Sequence, residues 1–356
     1  MLGSPRSGTT LLYDMLLSAG GFAVYLAESN VFNLLAPRFG DLSERRNRER
    51  AVRAWLTSKL FRATGLDADG ISAKLLDECR NTGDFLRIVM EEIALLQGAQ
   101  RWAENSPEAM LHLPAIKRFI PDALVVHIVR DGRDVAMSLG KVRYVRPFPW
   151  ERNQSRVAAG VYWEWMVRQG RTYGKALGPD YLEVHFEDLI ADPRATLTKV
   201  AGFIEHDLDY ERIVRVGYGS VSNPNTSFSG HSTDFNPVGR WKHGLAASEL
   251  RRLEAMVGPT LQEFGYPLSR GERLEPMSVE LRAERAAHLG YIAAKQWFKR
   301  NRLLRSLRPQ LTSEEIDQTV LADDHAPRLH QPDSVAITAA GDSSTADPYA
   351  SSEHGS

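Results

Sequence analysis

GSPRSGTT, residues 3–10, is the stretch that decides the fold. Two glycines five apart, followed by an apolar run at helical spacing, read as a loop entering a helix. Such a unit turns backbone N–H groups and a helix N-terminus toward an anion. Gly3 and Gly8 stand where the Walker A pattern G-x-x-x-x-G-K-[ST] has its glycines. Thr9 holds the lysine position, and Arg6 lies inside the loop instead. In a nucleotide triphosphatase that lysine stabilises the transferred phosphoryl group, which Thr9 cannot do. No hhhhD strand offers itself for magnesium. The loop therefore reads as built for an anion but not for ATP hydrolysis. An ordinary Gly/Ser/Pro turn before a helix is the alternative. Only Met1 and Leu2 stand where the preceding strand belongs, so either the true start lies upstream or the first strand is short here.

Working outward, Leu12, Met15 and Leu16 give residues 9–19 a helical face, and Gly20-Gly21 ends the run. Residues 41–100 read as several helices rich in Arg, Glu and Leu, and 107–119 as another. ALVVHIV, 123–129, is a continuous apolar run of the kind found in a buried parallel strand. Arg130-Asp131-Gly132 turns it into a helix over 133–141. A long helix is expected from about 155 to 177, a strand at YLEVHF, 181–186, and a turn at Asp192-Pro193 before a further helix. Residues 219–245 are polar and loop-like. Two more helices are expected over about 246–264 and 276–308. Strands alternating with helices predict an α/β fold with a parallel sheet.

The 356 residues, 43% hydrophobic, suffice for one large core or two modest ones. The single cysteine, Cys79, excludes an internal disulfide framework, and no Cys/His cluster suggests zinc. Neither a signal peptide nor a ~20-residue apolar span is visible, so a soluble, cytoplasmic protein is expected. The net charge of −1 conceals an asymmetry. Residues 312–356 hold one basic and nine acidic residues, leaving 43 basic and 36 acidic in 1–311, a balance of +7. A basic body suits an anionic ligand. The tail, rich in Ser, Ala, Asp and Pro, is expected to be disordered.

At the level of residues, G-x-P-R-S-G-T-T-L resembles the 5′-phosphosulfate loop of sulfotransferases that use 3′-phosphoadenosine 5′-phosphosulfate (PAPS). The arginine form is similar to the protein-tyrosine sulfotransferases and their bacterial relatives. The resemblance implies a parallel β-sheet flanked by helices, the P-loop NTPase-like sulfotransferase fold. It implies that Ser4, Pro5, Arg6, Ser7, Gly8, Thr9 and Thr10 hold the donor's 5′ end. It also implies a second anion site for the 3′-phosphate, where an arginine ends a later strand and a serine follows eight residues on. ALVVHIVRDGRDVAMSL supplies Arg130 and Ser138 at that spacing. Arg130 can give a phosphate two parallel hydrogen bonds, and Ser138 a hydroxyl; a structural pairing of Arg130 with Asp131 or Asp134 is the alternative. YLEVHFEDLIADPRATLTKVAGFI resembles the family's strand–"E-D-L"–helix segment, with His185-Phe186 near the place of a donor-touching tyrosine. VGRWKHGL, 238–245, resembles the late basic loop that closes over the cofactor. It offers Arg240, Trp241 and Lys242, with Ser227 and Ser229 in the loop before it. The resemblance spans about residues 2–265. It divides the chain into a sulfotransferase domain over 1–270, a basic helical extension over 271–311 and the acidic tail over 312–356.

The activity so implied is sulfuryl transfer from PAPS to an acceptor hydroxyl by in-line displacement. Arg6, with the loop amides, would stabilise the leaving side, and fixed cations would stand in for a metal, so none is expected. Glu28, in VYLAESNVF, falls where the protein-tyrosine branch places its glutamate base; a capping or salt-bridging role is the alternative. The turn Asn105-Ser106-Pro107 carries no histidine, and Asn105 stands where the family often has a lysine on the departing phosphate. Lys141, Arg143 or Arg240 could substitute for it. His112 and His127 read as structural, and Tyr162, Trp163 and Trp165 as core. A nucleotide kinase or NTPase, or a catalytically weak nucleotide-binding protein, are the competing functions. Acceptor pockets are assembled from variable segments, here 30–100 and 144–165. Small-molecule, glycan, lipid and peptide acceptors stay open, and no nucleic-acid partner is expected. The basic amphipathic helix 281–309 carries eight Arg/Lys among apolar residues. It fits either packing on the body or contact with an anionic membrane.

Overall fold

The computed structural model describes residues 1–141, 156–216, 236–271, 273–274 and 276–301. Three parallel strands, β1 (Leu2–Gly3), β2 (Val125–Val129) and β3 (Tyr181–His185), lie in the order β1-β2-β3. Leu2 pairs with His127 and Gly3 with Ile128, while Val125 to Val129 pair with Tyr181 to His185 in step. β2 is buried along its whole length, as a central parallel strand covered on both faces must be. The registers bring the ends of all three strands to one edge. There Gly3 runs into the glycine loop, Val129 into Arg130, and His185 into Phe186. Ligands of open α/β sheets bind at this carboxyl edge.

The α-helices of six residues or more among the described residues are α1 (Thr9–Ala19), α2 (Arg45–Leu56), α3 (Ala68–Glu78), α4 (Thr82–Gln97), α5 (Leu113–Phe119), α6 (Gly132–Lys141), α7 (Arg156–Lys175), α8 (Phe186–Ala191), α9 (Pro193–Ile204), α10 (Tyr210–Val216), α11 (Ala247–Glu263) and α12 (Val279–Arg300). The sequence expectations for these segments hold to within a few residues, except that of the expected helix 276–308 the stretch 302–308 lies outside the described residues. One difference is that 107–119 divides into a 3₁₀ turn, Pro107–His112, and α5. α1 buries ten of its eleven residues, because it is apolar almost all round and packs between the sheet and α10. Residues 23–120 build a second core around Trp55, Leu75 and Phe85. A third joins α6, α7 and α11 through Val135, Trp163 and Leu253. α12 rests on α7 by the Arg285–Glu164 ion pair at 2.8 Å, with His288 and Ile292 buried and Trp297 62% exposed. No described helix is long and apolar enough to cross a membrane.

Candidate active site

The glycine loop leaves β1 under tight steric control. A side chain on Gly3 would meet the Ile128 carbonyl at 2.7 Å. Gly8 has φ +96° and would press a Cβ against the Phe186 ring at 2.3 Å. Ser7 N–H closes the loop on the Ser4 carbonyl at 3.0 Å. Arg6 adopts φ +73°, a left-handed conformation costly for any residue with a Cβ. α1 begins at Gly8 with no side-chain cap and no acidic residue in its first turn. Its first N–H groups therefore have no side-chain cap and no first-turn carboxylate competing for them. Thr9 is buried, and Thr10 is exposed at the helix entrance.

Residues far apart in sequence meet over this loop. Arg6 Nε donates to Ser138 Oγ at 2.9 Å. Arg130 Nη1 donates to the Arg6 carbonyl at 3.1 Å, and Nη2 to the Pro237 carbonyl at 2.6 Å. The guanidinium of Arg130 lies 4.3 Å above the Phe186 ring. Trp163 Nε1 holds the Arg130 carbonyl at 3.0 Å. Arg130 forms an ion pair with neither Asp131 nor Asp134. Asp131 instead binds Arg133 (2.7 Å), which also binds Glu254 (2.7 Å). Asp134 accepts from the N–H groups of Gly239 (2.7 Å) and Trp241 (2.9 Å). Arg240 thereby joins the cluster. Burial first, then the charge of Arg240, holds the Arg6 guanidinium below its ordinary range. Arg130 is lowered chiefly by burial, with Arg240 and Arg6 adding to it.

The cradle suits a multiply charged anion. Arg130 Nε, Ser4 Oγ and Ser7 Oγ are buried without a hydrogen-bond partner. Orphaned polar groups of this kind are rare in folded proteins, and here three of them gather at the loop and the arginine above it. Of the remaining expected contacts, Trp241 turns its ring onto the Arg133 guanidinium, 3.8 Å away, and is buried. Arg143, Ser227, Ser229 and residues 144–155 of the expected acceptor segment lie outside the described residues. Phe186 and Asp134 were named in the sequence reading, but their partners here, the Arg130 guanidinium and the Gly239 and Trp241 amides, were not. The nearest signals were the place of the family's tyrosine for Phe186 and the short R-D-G-R-D run for Asp134.

A match to the family model described as "Sulfotransferase family" covers residues 1–211. The chain belongs to the sulfotransferase family. Among solved structures it is similar to the sulfotransferase domain of the Synechococcus PCC 7002 olefin synthase. That match has 21% identity, covers 69% of this chain and 87% of that one, and has a TM-score of 0.49. It is similar also to the sulfotransferase domain of the curacin biosynthetic pathway, at 18% identity over 75% and 96%, TM-score 0.49. A third is sulfotransferase STF9 of Mycobacterium avium, at 15% identity over 75% and 76%, TM-score 0.42.

Carboxylates gather on another part of this sulfotransferase. Glu28 is half-buried, and its carboxylate makes no hydrogen bond or ion pair among the described residues. Burial, then Glu104 and Glu108, push it up to about 8. Glu104 Oε1 accepts from Ser29 Oγ at 2.6 Å and also from Ser106 Oγ. Glu108 accepts from Tyr162 at 2.9 Å. Asn105, between them, is buried with its Oδ1 unpartnered. His127 sits in β2 with Nδ1 2.6 Å from the Tyr181 hydroxyl, and burial brings it down to about 4, a neutral core histidine. A cavity of about 360 Å³ lined by Leu2, Val125, Val126 and Ile120 reaches the amino ends of the strands, the edge opposite Arg130. Among the described residues no His/Cys/Asp/Glu group could hold a metal ion.

Proposed function

We propose that this sulfotransferase takes its sulfuryl group from PAPS and delivers it to an acceptor hydroxyl by in-line displacement. One observation carries the reading. Arg6, Arg130 and Arg240 converge on a loop with buried, unpartnered serine hydroxyls and open helix amides, a cradle for more than one phosphate-type group. The donor, when bound, supplies an activated sulfur whose bond to a phosphate oxygen breaks as the acceptor oxygen bonds to it.

Each residue then has a physical task. Ser4, Ser7, Thr9, Thr10 and the α1 amides hold the 5′ end. Arg6, fixed by Ser138, places permanent positive charge where negative charge develops on the leaving oxygen. Arg130, with Ser138 beside it and Phe186 beneath it, takes the 3′-phosphate. Glu28 receives the acceptor's proton. Its raised affinity for protons brings it into the range where a general base works at neutral pH. Asn105 offers a hydrogen bond but no charge, so the leaving side relies on arginine. The lysine missing after Gly8 counts against phosphoryl transfer, and the unpartnered Glu28 favours an enzyme over a passive nucleotide binder.

The test is a calorimetric titration with 3′,5′-ADP beside 5′-AMP at fixed salt. Each charge-assisted contact contributes roughly 1.5–3 kcal/mol, so 3′,5′-ADP should bind about tenfold to over a hundredfold more tightly. In Arg130→Lys the preference should shrink toward unity. Equal binding of both nucleotides by the wild type refutes the donor assignment.

A further inference from the structure

We infer that Asp134 is a positioning residue for the donor site: it fastens the segment 237–241 over Arg130 by a two-oxygen clamp on the Gly239 and Trp241 amides. Each carboxylate oxygen takes a different amide, Oδ2 from Gly239 at 2.7 Å and Oδ1 from Trp241 at 2.9 Å. Asp134 is 1% exposed, so water does not compete for these bonds. Arg240 lies between the two clamped amides, and Pro237 two residues before the first. The clamp therefore fixes two things that the cradle uses: the carbonyl that orients Arg130 Nη2 and the positive charge felt by Arg6 and Arg130.

This task differs from holding the fold together. The Trp241 ring is held separately, stacked on Arg133, and Arg133 is anchored by Asp131 and Glu254. Loss of the clamp frees the backbone of 237–240 while that ring and the α6–α11 packing stay in place. Asp134→Asn makes the separation sharp. An amide side chain has one acceptor oxygen, so one of the two N–H groups is left facing an NH₂.

The inference rests on the PAPS reading, and its test separates the two. Amide hydrogen exchange on the nucleotide-free wild type should show Gly239 and Trp241 N–H protected at least ~10-fold over free-chain rates, and Asp134→Asn should lose that protection while β2 keeps its own. Titration of Asp134→Asn should show 3′,5′-ADP affinity falling on the order of tenfold with a clearly smaller fall for 5′-AMP. Unprotected Gly239 and Trp241 amides in the wild type overturn the clamp whether or not the variant folds. So does an equal loss for both nucleotides, the mark of a merely structural role. If the wild type itself fails to prefer 3′,5′-ADP, the donor reading falls, and the exchange data still judge the clamp.

Discussion

Glu28→Gln should make the protein more stable in alkaline solution, by an amount that grows with pH. The side chain has an ordinary carboxyl value of 4.5 and is pushed up to about 8 in the fold, first by burial and then by Glu104 and Glu108. The folded state therefore holds its proton more tightly than the unfolded chain does. Stability from the protonated form is fully present below about pH 4.5 and is lost as pH rises through about 8. A shift of 3.5 units at ~1.36 kcal/mol each sets an upper bound of about 5 kcal/mol. Access to solvent reduces this to about 2–3 kcal/mol. Glutamine keeps the shape and never ionises, so it escapes the loss. Urea unfolding of both proteins from pH 5 to pH 9 should show the variant gaining most of that difference between pH 5 and pH 8, then running parallel to the wild type. The same ionisation should govern transfer. With a pKa of about 8 roughly a tenth of Glu28 is ionised at pH 7, so wild-type kcat should climb toward pH 8 and level off. The variant should be slower by about 10²–10⁴ and insensitive to pH in that range. Parallel stability profiles over the whole pH range would refute the reasoning, since they would mean that Glu28 is solvated like any surface carboxylate.

Two substitutions probe the frame of the site. Gly8→Ala sets a Cβ at φ +96° and 2.3 Å from Phe186. It should cost about 1–3 kcal/mol of stability and lower affinity for both nucleotides, read by thermal shift and titration; affinity equal to wild type would show that the loop tolerates displacement. Arg133→Met leaves Asp131 and Glu254 as buried charges without their cation. It should destabilise by about 3–5 kcal/mol in denaturant unfolding at pH 7, with part of the loss recovered in acid as the carboxylates protonate; a loss under 1 kcal/mol would show that water reaches the network.

What the sequence revealed and what it hid divide by chain distance. The glycine loop, its helix and the arginine at the end of β2 are local signals. A turn needs particular residues at particular spacings, and a buried parallel strand needs an unbroken apolar run, so each is readable within about a dozen residues. The spacing of Arg130 and Ser138 pointed to one anchor. It did not reveal that Ser138 also binds Arg6, 132 positions away. Asp134 was legible only as a candidate partner for Arg130, because its true partners, two backbone amides beyond residue 238, carry no side-chain signature. Phe186 is unreadable for a similar reason. It serves as a floor for Arg130 and Gly8 only once β3 is aligned beside β2, and register is a property of the sheet, not of either strand. Glu28 was named from resemblance. What makes it distinctive is the environment, since two further carboxylates reach it from beyond residue 103.

The charge pattern gives the proposed reaction a direction. Burial first, and then the charge of Arg240, lowers the affinity of Arg6 and Arg130 for protons, and the repulsion among these cations is a cost carried by the folded chain. A polyanion relieves that cost, so ligands with two phosphate groups should bind more tightly and raise the melting temperature more than ligands with one at equal free concentration. The neighbourhood of Glu28 has the opposite sign, with Glu104 and Glu108 adding their charge. In the proposed reaction an acceptor hydroxyl would enter there as a neutral group, and the sulfate ester formed from it would be an anion. The negative field that adds to burial in raising the proton affinity of Glu28 would thus also disfavour the product, while the arginines retain the nucleotide. On this reading the cluster of acids that activates the hydroxyl also speeds departure of the ester, and the nucleotide should be the slower product to leave.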